Sequence, residues 1–162
     1  MIRKALIIDN YRYYLFREWD TLGLIKKTIF WVMLNPSIAD SQKDDPTIRR
    51  IINFSKQFGA GRLWVGNLYA YITTNPNNLF KDKKTDYIGY LNYFNLLQMK
   101  DKSDMTIFAC GNVCQHKRLK QVYEMLKPVY ALKTNKKGFP ANPLYLKKNL
   151  TPFLYEMEKY LF

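Results

Sequence analysis

Trp31-Val-Met-Leu-Asn-Pro-Ser-Ile-Ala-Asp-Ser-Gln-Lys-Asp-Asp-Pro-Thr-Ile-Arg-Arg50 reads as an apolar strand, a polar turn and the start of a helix. Ile29 to Leu34 is an uncharged run of bulky strand-formers, the pattern of a strand buried on both faces. Asn35-Pro36-Ser37 ends it with turn chemistry. Asp45-Pro46 supplies an N-cap and a proline at the first helical position, and Ile48, Ile51 and Ile52 give the helix an apolar stripe. In open α/β sheets, ligands bind at loops leaving the carboxyl ends of strands. This loop carries Asp40, Asp44 and Asp45, with Arg49 and Arg50 just inside the helix. A loop that only caps a helix explains the stretch equally well at this point.

Working outward, Tyr11 to Trp19 is aromatic with partial alternation and reads as a strand, placed at a sheet edge. The helix from Pro46 to Phe58 stops at Gly59-Ala-Gly61. Arg62 to Tyr71 is a second apolar strand, Asp86 to Met99 a helix, and Asp104 to Cys110 a third buried strand. His116 to Met125 reads as a helix, Pro128 to Leu132 as a short strand, Lys133 to Pro143 as a basic loop, and Leu150 to Phe162 as a closing helix. Strands alternating with helices predict one α/β domain over 1–162, a three-layer sandwich with a mostly parallel central sheet.

Composition narrows the classes of function. The 162 residues are 48% hydrophobic and 16% aromatic, enough for a full core. No apolar run reaches the length of a membrane span, and Met1-Ile-Arg-Lys lacks the core of a signal peptide, so a cytoplasmic protein without a membrane partner is expected. Cys110 and Cys114 with the single His116 are too few ligands for a metal site of the usual kind; no cofactor is expected, and the thiols read as reduced. The net charge of +13 favours polyanionic partners, DNA or nucleotides first. The bland alternative is a surface decorated with lysine. The sequence leaves the oligomeric state open.

Four segments leave the carboxyl ends of predicted strands: Asn35 to Asp45, Asn67 to Asn75, Gly111 to Gln115, and Lys133 to Tyr145. In a parallel sheet they converge on one rim. That rim gathers Asn35, Pro36, Ser37, Asn67, Tyr69, Tyr71, Gly111, Asn112, Asn142 and Tyr145, with Arg49, Arg50, Lys133, Lys136 and Lys137 as candidate phosphate contacts. Asparagine offers both a donor and an acceptor to a base edge, tyrosine offers stacking, and lysine neutralises phosphate. The set suits a flat heteroaromatic ligand carrying phosphate. Asp40 and Asp44 join Asn35 and Asn142 as candidate catalytic groups. The aspartates leave three roles open: general base, cation ligand, or anchor for the neighbouring arginines. Capping alone explains Asp45.

Met33-Leu-Asn-Pro-Ser-Ile-Ala-Asp40 with Asp44-Asp-Pro-Thr-Ile-Arg-Arg50, then Gly66-Asn-Leu-Tyr-Ala-Tyr71 with Asn75-Pro76, then Gly138-Phe-Pro-Ala-Asn-Pro-Leu-Tyr-Leu146, resembles a domain-of-unknown-function family of bacteria and phages, family 1643. That resemblance names no activity. A more distant one does: Leu34-Asn-Pro-Ser37 after a buried strand resembles the Gly-x-Asn-Pro motif of the uracil-DNA glycosylase superfamily. Leu63-Trp-Val-Gly-Asn-Leu68 resembles the strand whose terminal Asn reads a flipped base. Asn142-Pro-Leu144 resembles the His-Pro-Ser-Pro loop that enters the minor groove. The resemblance implies a glycosylase-like fold in which Asn35 orients the attacking water, Asn67 reads the base, and Asn142 supports the leaving base. The chain departs from both families at position 142, where Asn replaces His. Asn still donates a hydrogen bond but carries no positive charge, and losing one oxyanion donor typically costs about 2.7–4 kcal/mol of transition-state stabilisation.

Two function classes follow. The first is a glycosylase-like hydrolase that acts on the glycosidic bond of a normal or modified base. The second is a binding module that holds a nucleotide or nucleic acid without chemistry, for instance a phage anti-defence protein with a host protein partner. A third and plainer reading is a protein–protein inhibitor whose rim is structural.

Overall fold

A computed structural model describes residues 1–161. In chain order the elements are β1 (Ile2–Ile8), β2 (Tyr11–Glu18), β3 (Thr28–Met33), α1 (Pro46–Gln57), β4 (Arg62–Asn67), α2 (Asn92–Asp101), β5 (Met105–Phe108), α3 (His116–Leu126), β6 (Val129–Ala131), β7 (Phe153–Tyr155) and α4 (Met157–Tyr160). β3 is buried along its whole length because it lies between two helical layers. Its side chains alternate with period two. Ile29, Trp31 and Met33 face α1 and pack with Ile48, Ile51, Ile52 and Phe54. Phe30 and Val32 face the other side, where Leu96 and Met99 of α2 and Leu119, Val122 and Leu126 of α3 cover them. Gly66 in β4 permits that second contact: a Cβ there would stand 2.6 Å from the Met99 methyl and 2.7 Å from Leu96 Cδ2.

The seven strands run in the order β1-β2-β4-β3-β5-β6-β7. Only the central four pair in parallel, β4 with β3, β3 with β5, and β5 with β6. β1–β2, β2–β4 and β6–β7 are antiparallel and hold more of the paired residues. The expected mostly parallel sheet is therefore corrected to a mixed one. The reason is at its two ends, where pairing is not dictated by β-α-β crossovers. β1 continues into β2 through a tight turn with Asp9 in the left-handed region at φ 52°. β2 is thus internal, not an edge strand.

Two helical expectations also shift. The helix read from Asp86 begins only at Asn92, because Asp86 Oδ1 accepts the amides of Ile88 and Gly89 in a turn and Gly89 sits at φ 88°. The closing helix read from Leu150 is instead β7 followed by one helical turn; Phe162 lies outside the described residues. Pro152 and the alternation of exposed Leu154 with buried Tyr155 favour a strand, and β6 supplies an edge to pair with. Among the described residues no helix is long and apolar enough to cross a membrane. Both cysteines are free and buried.

Candidate functional site

A cleft of about 350 Å³ opens at the carboxyl ends of β3 and β4, beneath the amino end of α1. Its walls are apolar, with Met33, Leu34, Ile38, Ile48 and Leu144. Its polar lining includes Arg12, Asn35, Ser37, Asp45, Asn67 and Asn142. The three asparagines singled out by the sequence are thus gathered in one cleft, yet they are not equivalent. Asn35 Nδ2 is committed to Pro36 O and Thr73 O, both at 2.9 Å, so what it can offer a ligand is its carbonyl oxygen. Asn142 is exposed at the rim; its Oδ1 accepts the Leu144 amide at 3.0 Å and caps a short 3-10 turn over Pro143–Tyr145. Asn67 is 1% exposed, and neither its Nδ2 nor its Oδ1 has a partner.

Asn67 reaches the cleft because it ends β4 on the face shared with Leu63 and Val65, opposite Met33 of β3. The peptide at its own position is fixed from the other side of the sheet, where Asn92 Nδ2 donates to Asn67 O and Leu68 O at 3.1 and 3.2 Å. A buried amide without partners costs about 1–3 kcal/mol. It is the least satisfied group in the lining.

The loop from Asn35 to Asp45 is held by two buried arginines from β2. Arg17 has no exposed surface; its Nε meets Asp44 Oδ1 at 2.7 Å, its Nη2 donates to Asp40 O and Lys43 O, and its Nη1 to Phe16 O. Arg3 adds a second contact to Asp44 at 3.1 Å. Arg12 Nη1 donates to Ala39 O at 2.6 Å. Burial lowers the Arg12 guanidinium to about 10, with Asp45 opposing the shift, so it stays a cation at neutral pH.

These contacts assign structural work to the aspartates. Asp40 Oδ1 accepts the amides of Gln42 and Lys43, and those two bonds hold its carboxyl below the usual range. Neither Asp40 nor Asp44 belongs to the cleft lining, whereas Asp45 does. Asp45 Oδ1 also accepts the Ile48 amide at 2.8 Å as the N-cap of α1. Among the described residues no three His, Cys, Asp or Glu side chains are grouped to hold a metal ion.

The remaining candidates disperse. Ser37 lines the cleft; Pro36 is buried behind it, and its carbonyl accepts the Thr73 amide. Tyr69 is buried against Phe80, its hydroxyl accepts the Gln115 amide at 3.3 Å, and burial pushes its phenol up to about 12. Tyr71 packs edge-on against Tyr11 and Tyr87. Gly111, at φ 73°, donates its amide to Pro140 O and lies beside Asn142, with Asn112 exposed next to it. Tyr145 is 93% exposed just outside the rim. Arg50 stacks over Phe54 at 4.9 Å and donates to Pro143 O and Leu146 O, so it fastens the 143–146 turn to α1 and is not free for phosphate. Arg49 donates to Asp44 O. Lys133, Lys136 and Lys137 are exposed on the loop leading to Asn142.

Sequence reasoning missed Arg12 and the Thr73–Thr74 wall. An arginine inside an otherwise apolar strand pattern was the available signal for the first. No curated protein and no solved structure matches the chain. A family model matches residues 12–144, a span that opens on the cleft arginine and closes on the cleft leucine, and the chain therefore belongs to the family described as "Protein of unknown function (DUF1643)".

Proposed function

We propose that the cleft holds a nucleobase, presented by a nucleotide or by nucleic acid, with Asn67 reading its edge. The observation that carries this reading is the buried Asn67 amide, whose donor and acceptor both lack partners inside the protein. A base edge sets a donor next to an acceptor and satisfies both at once. The apolar walls suit the two faces of a flat ring, and the volume falls within the range of small-ligand sites. The net charge of +13 favours a ligand that carries phosphate. The ordered likeness of the segments around Asn35, Asn67 and Asn142 to the uracil-DNA glycosylase motifs supports the same reading.

A second reading adds hydrolysis of the glycosidic bond, and the placement of Asp45 and Asn35 in the same cleft favours it. Water held by the Asn35 carbonyl would attack the sugar carbon, the bond to the base nitrogen would break, and the base would leave with the electron pair. Asp45 would take the water's proton, and the Asn142 amide would donate to the departing base.

Calorimetry with nucleoside monophosphates and short oligonucleotides tests the binding reading. Binding by the wild type, weakened at least tenfold in Asn67→Leu, is the expected result. No binding to any of them, or equal binding by the variant, overturns it. Single-turnover assays on oligonucleotides carrying uracil or modified bases then test hydrolysis. Abasic product that disappears in Asp45→Asn is expected; recovery of intact ligand throughout leaves binding without chemistry.

A further inference from the structure

Arg12 reaches the cleft through a β-bulge. Pairing of β1 with β2 passes from Leu6 opposite Tyr14 directly to Ile7 opposite Arg12, so Tyr13 has no partner. Beyond the bulge the strand alternates normally. Leu15 packs on the α1 side and Arg17 holds the loop that precedes α1, while Tyr14 and Phe16 meet Trp64 on the opposite side. The extra residue puts Tyr13 on the same side as Tyr14, where its ring meets Tyr90 edge-on at 6.2 Å. Arg12 thereby turns to the α1 side, a position Tyr13 would occupy in a regular strand. Bulges re-aim side chains in this way.

The guanidinium that arrives is 3% exposed, and its Nε has no partner. The buried side-chain polar atoms of the cleft lining that lack partners are then Arg12 Nε, Asn67 Nδ2 and Asn67 Oδ1. They amount to two donors and one acceptor. Arg12 is donor-only and cannot exchange roles, whereas the Asn67 amide can turn over to place either atom first.

Building on the nucleobase reading, we propose that Arg12 is a specificity-determining residue that selects pyrimidines over purines by donating to the ring carbonyl at position 2 while Asn67 pairs with positions 3 and 4. The hydrogen-bond inventory of the bases carries the argument. Uracil and thymine present two acceptors and one donor on this edge, and cytosine presents the same numbers in another order. Either order is met by one orientation of the Asn67 amide. The pairing edge of adenine presents one acceptor and one donor, which leaves the buried guanidinium N–H without a partner. Guanine presents two donors and one acceptor, so a donor faces a donor. Leaving a buried charged donor unpaired is the larger penalty in site selectivity.

The test measures binding of homo-oligonucleotides of dU, dC, dA and dG, and the matching monophosphates, to the full chain. Wild type is expected to bind dU and dC at least ~10-fold more tightly than dA and dG. Arg12→Gln is expected to erase that ratio through loss on the pyrimidine side. Arg12→Lys, which keeps the charge and a donor for Ala39 O, is expected to reduce it, and this variant decides the matter if Arg12→Gln does not fold. Purines bound by the wild type as tightly as pyrimidines would overturn the proposal. So would an equal loss for both classes, which is what a residue that only fastened the loop would give. In those two outcomes dependence on Asn67 still stands; absence of binding by every probe overturns the base reading as well.

Discussion

Asn67 and Asp44 make opposite predictions from the same physics. Asn67 carries an unsatisfied amide in a buried position, so the folded protein gives up stability to keep it. Asn67→Leu is expected to leave stability unchanged or raise it by about 1 kcal/mol in urea unfolding, and, on the proposed nucleobase reading, to weaken ligand binding at least tenfold. A clear loss of stability would mean that the amide has a structural partner. Asp44 is the carboxylate partner of the fully buried Arg17. Asp44→Asn leaves that guanidinium without its counter-charge, and breaking a buried pair costs about 3–5 kcal/mol. Unfolding measurements should show a loss of this order. An unchanged midpoint with lost activity would instead give Asp44 a catalytic role.

Among elements, α1 joins the fold to the cleft. Asp45 caps its first turn and lines the cavity, so the two contributions separate by substitution. Asp45→Ala removes the cap and should cost about 0.5–2 kcal/mol, whereas Asp45→Asn keeps a capping oxygen and should cost much less. A loss of turnover confined to chemistry in Asp45→Asn would mark the carboxylate as the proton acceptor. On the other face, Tyr69 ties the sheet to the amino end of α3 through the Gln115 amide. Its folded pKa is raised from 10.0 to about 12, chiefly by burial. A raised pKa means that the folded state holds the proton more tightly. The corresponding stability is present below pH 10 and is lost as pH rises toward 12. Denaturant midpoints should fall across that window more steeply for the wild type than for Tyr69→Phe; parallel curves would remove Tyr69 from the account.

For the molecule as a whole, charge makes the testable statement. With a net charge of +13, association with a nucleic-acid strand should weaken linearly in log–log fashion as salt increases. Replacing Lys133, Lys136 and Lys137 by glutamine should flatten the slope by up to ~0.7 per lost contact on a single strand, with the base preference retained. A slope that is already flat in the wild type, with oligonucleotides binding no tighter than monophosphates, would identify a mononucleotide ligand.

Several elements were legible because their signals are local. The uniform apolar run of β3, the Asp45-Pro46 start of α1, and the stripes of α1 and α3 depend on neighbours a few residues away. The turn after β3 followed from the same signals, and Asn35 with it. β4 ends at Asn67, four residues short of the Tyr71 to which the apolar run extends, and Asn67 is singled out by the resemblance of its segment. Other features depend on contacts distant in sequence. β1 is too weakly patterned to announce itself, and β7 exists because β6 offers it an edge. Asp44 finds its partner 27 residues back, and Arg50 meets carbonyls more than 90 residues ahead. Arg12 is the sharpest instance: its chemistry was plain in the chain, but the face it occupies was set by one unpaired residue. Local propensity fixes which segments are strands and helices. Pairing direction, register and the burial of charge are long-range choices, made when the sheet closes and each buried polar group must find its partner.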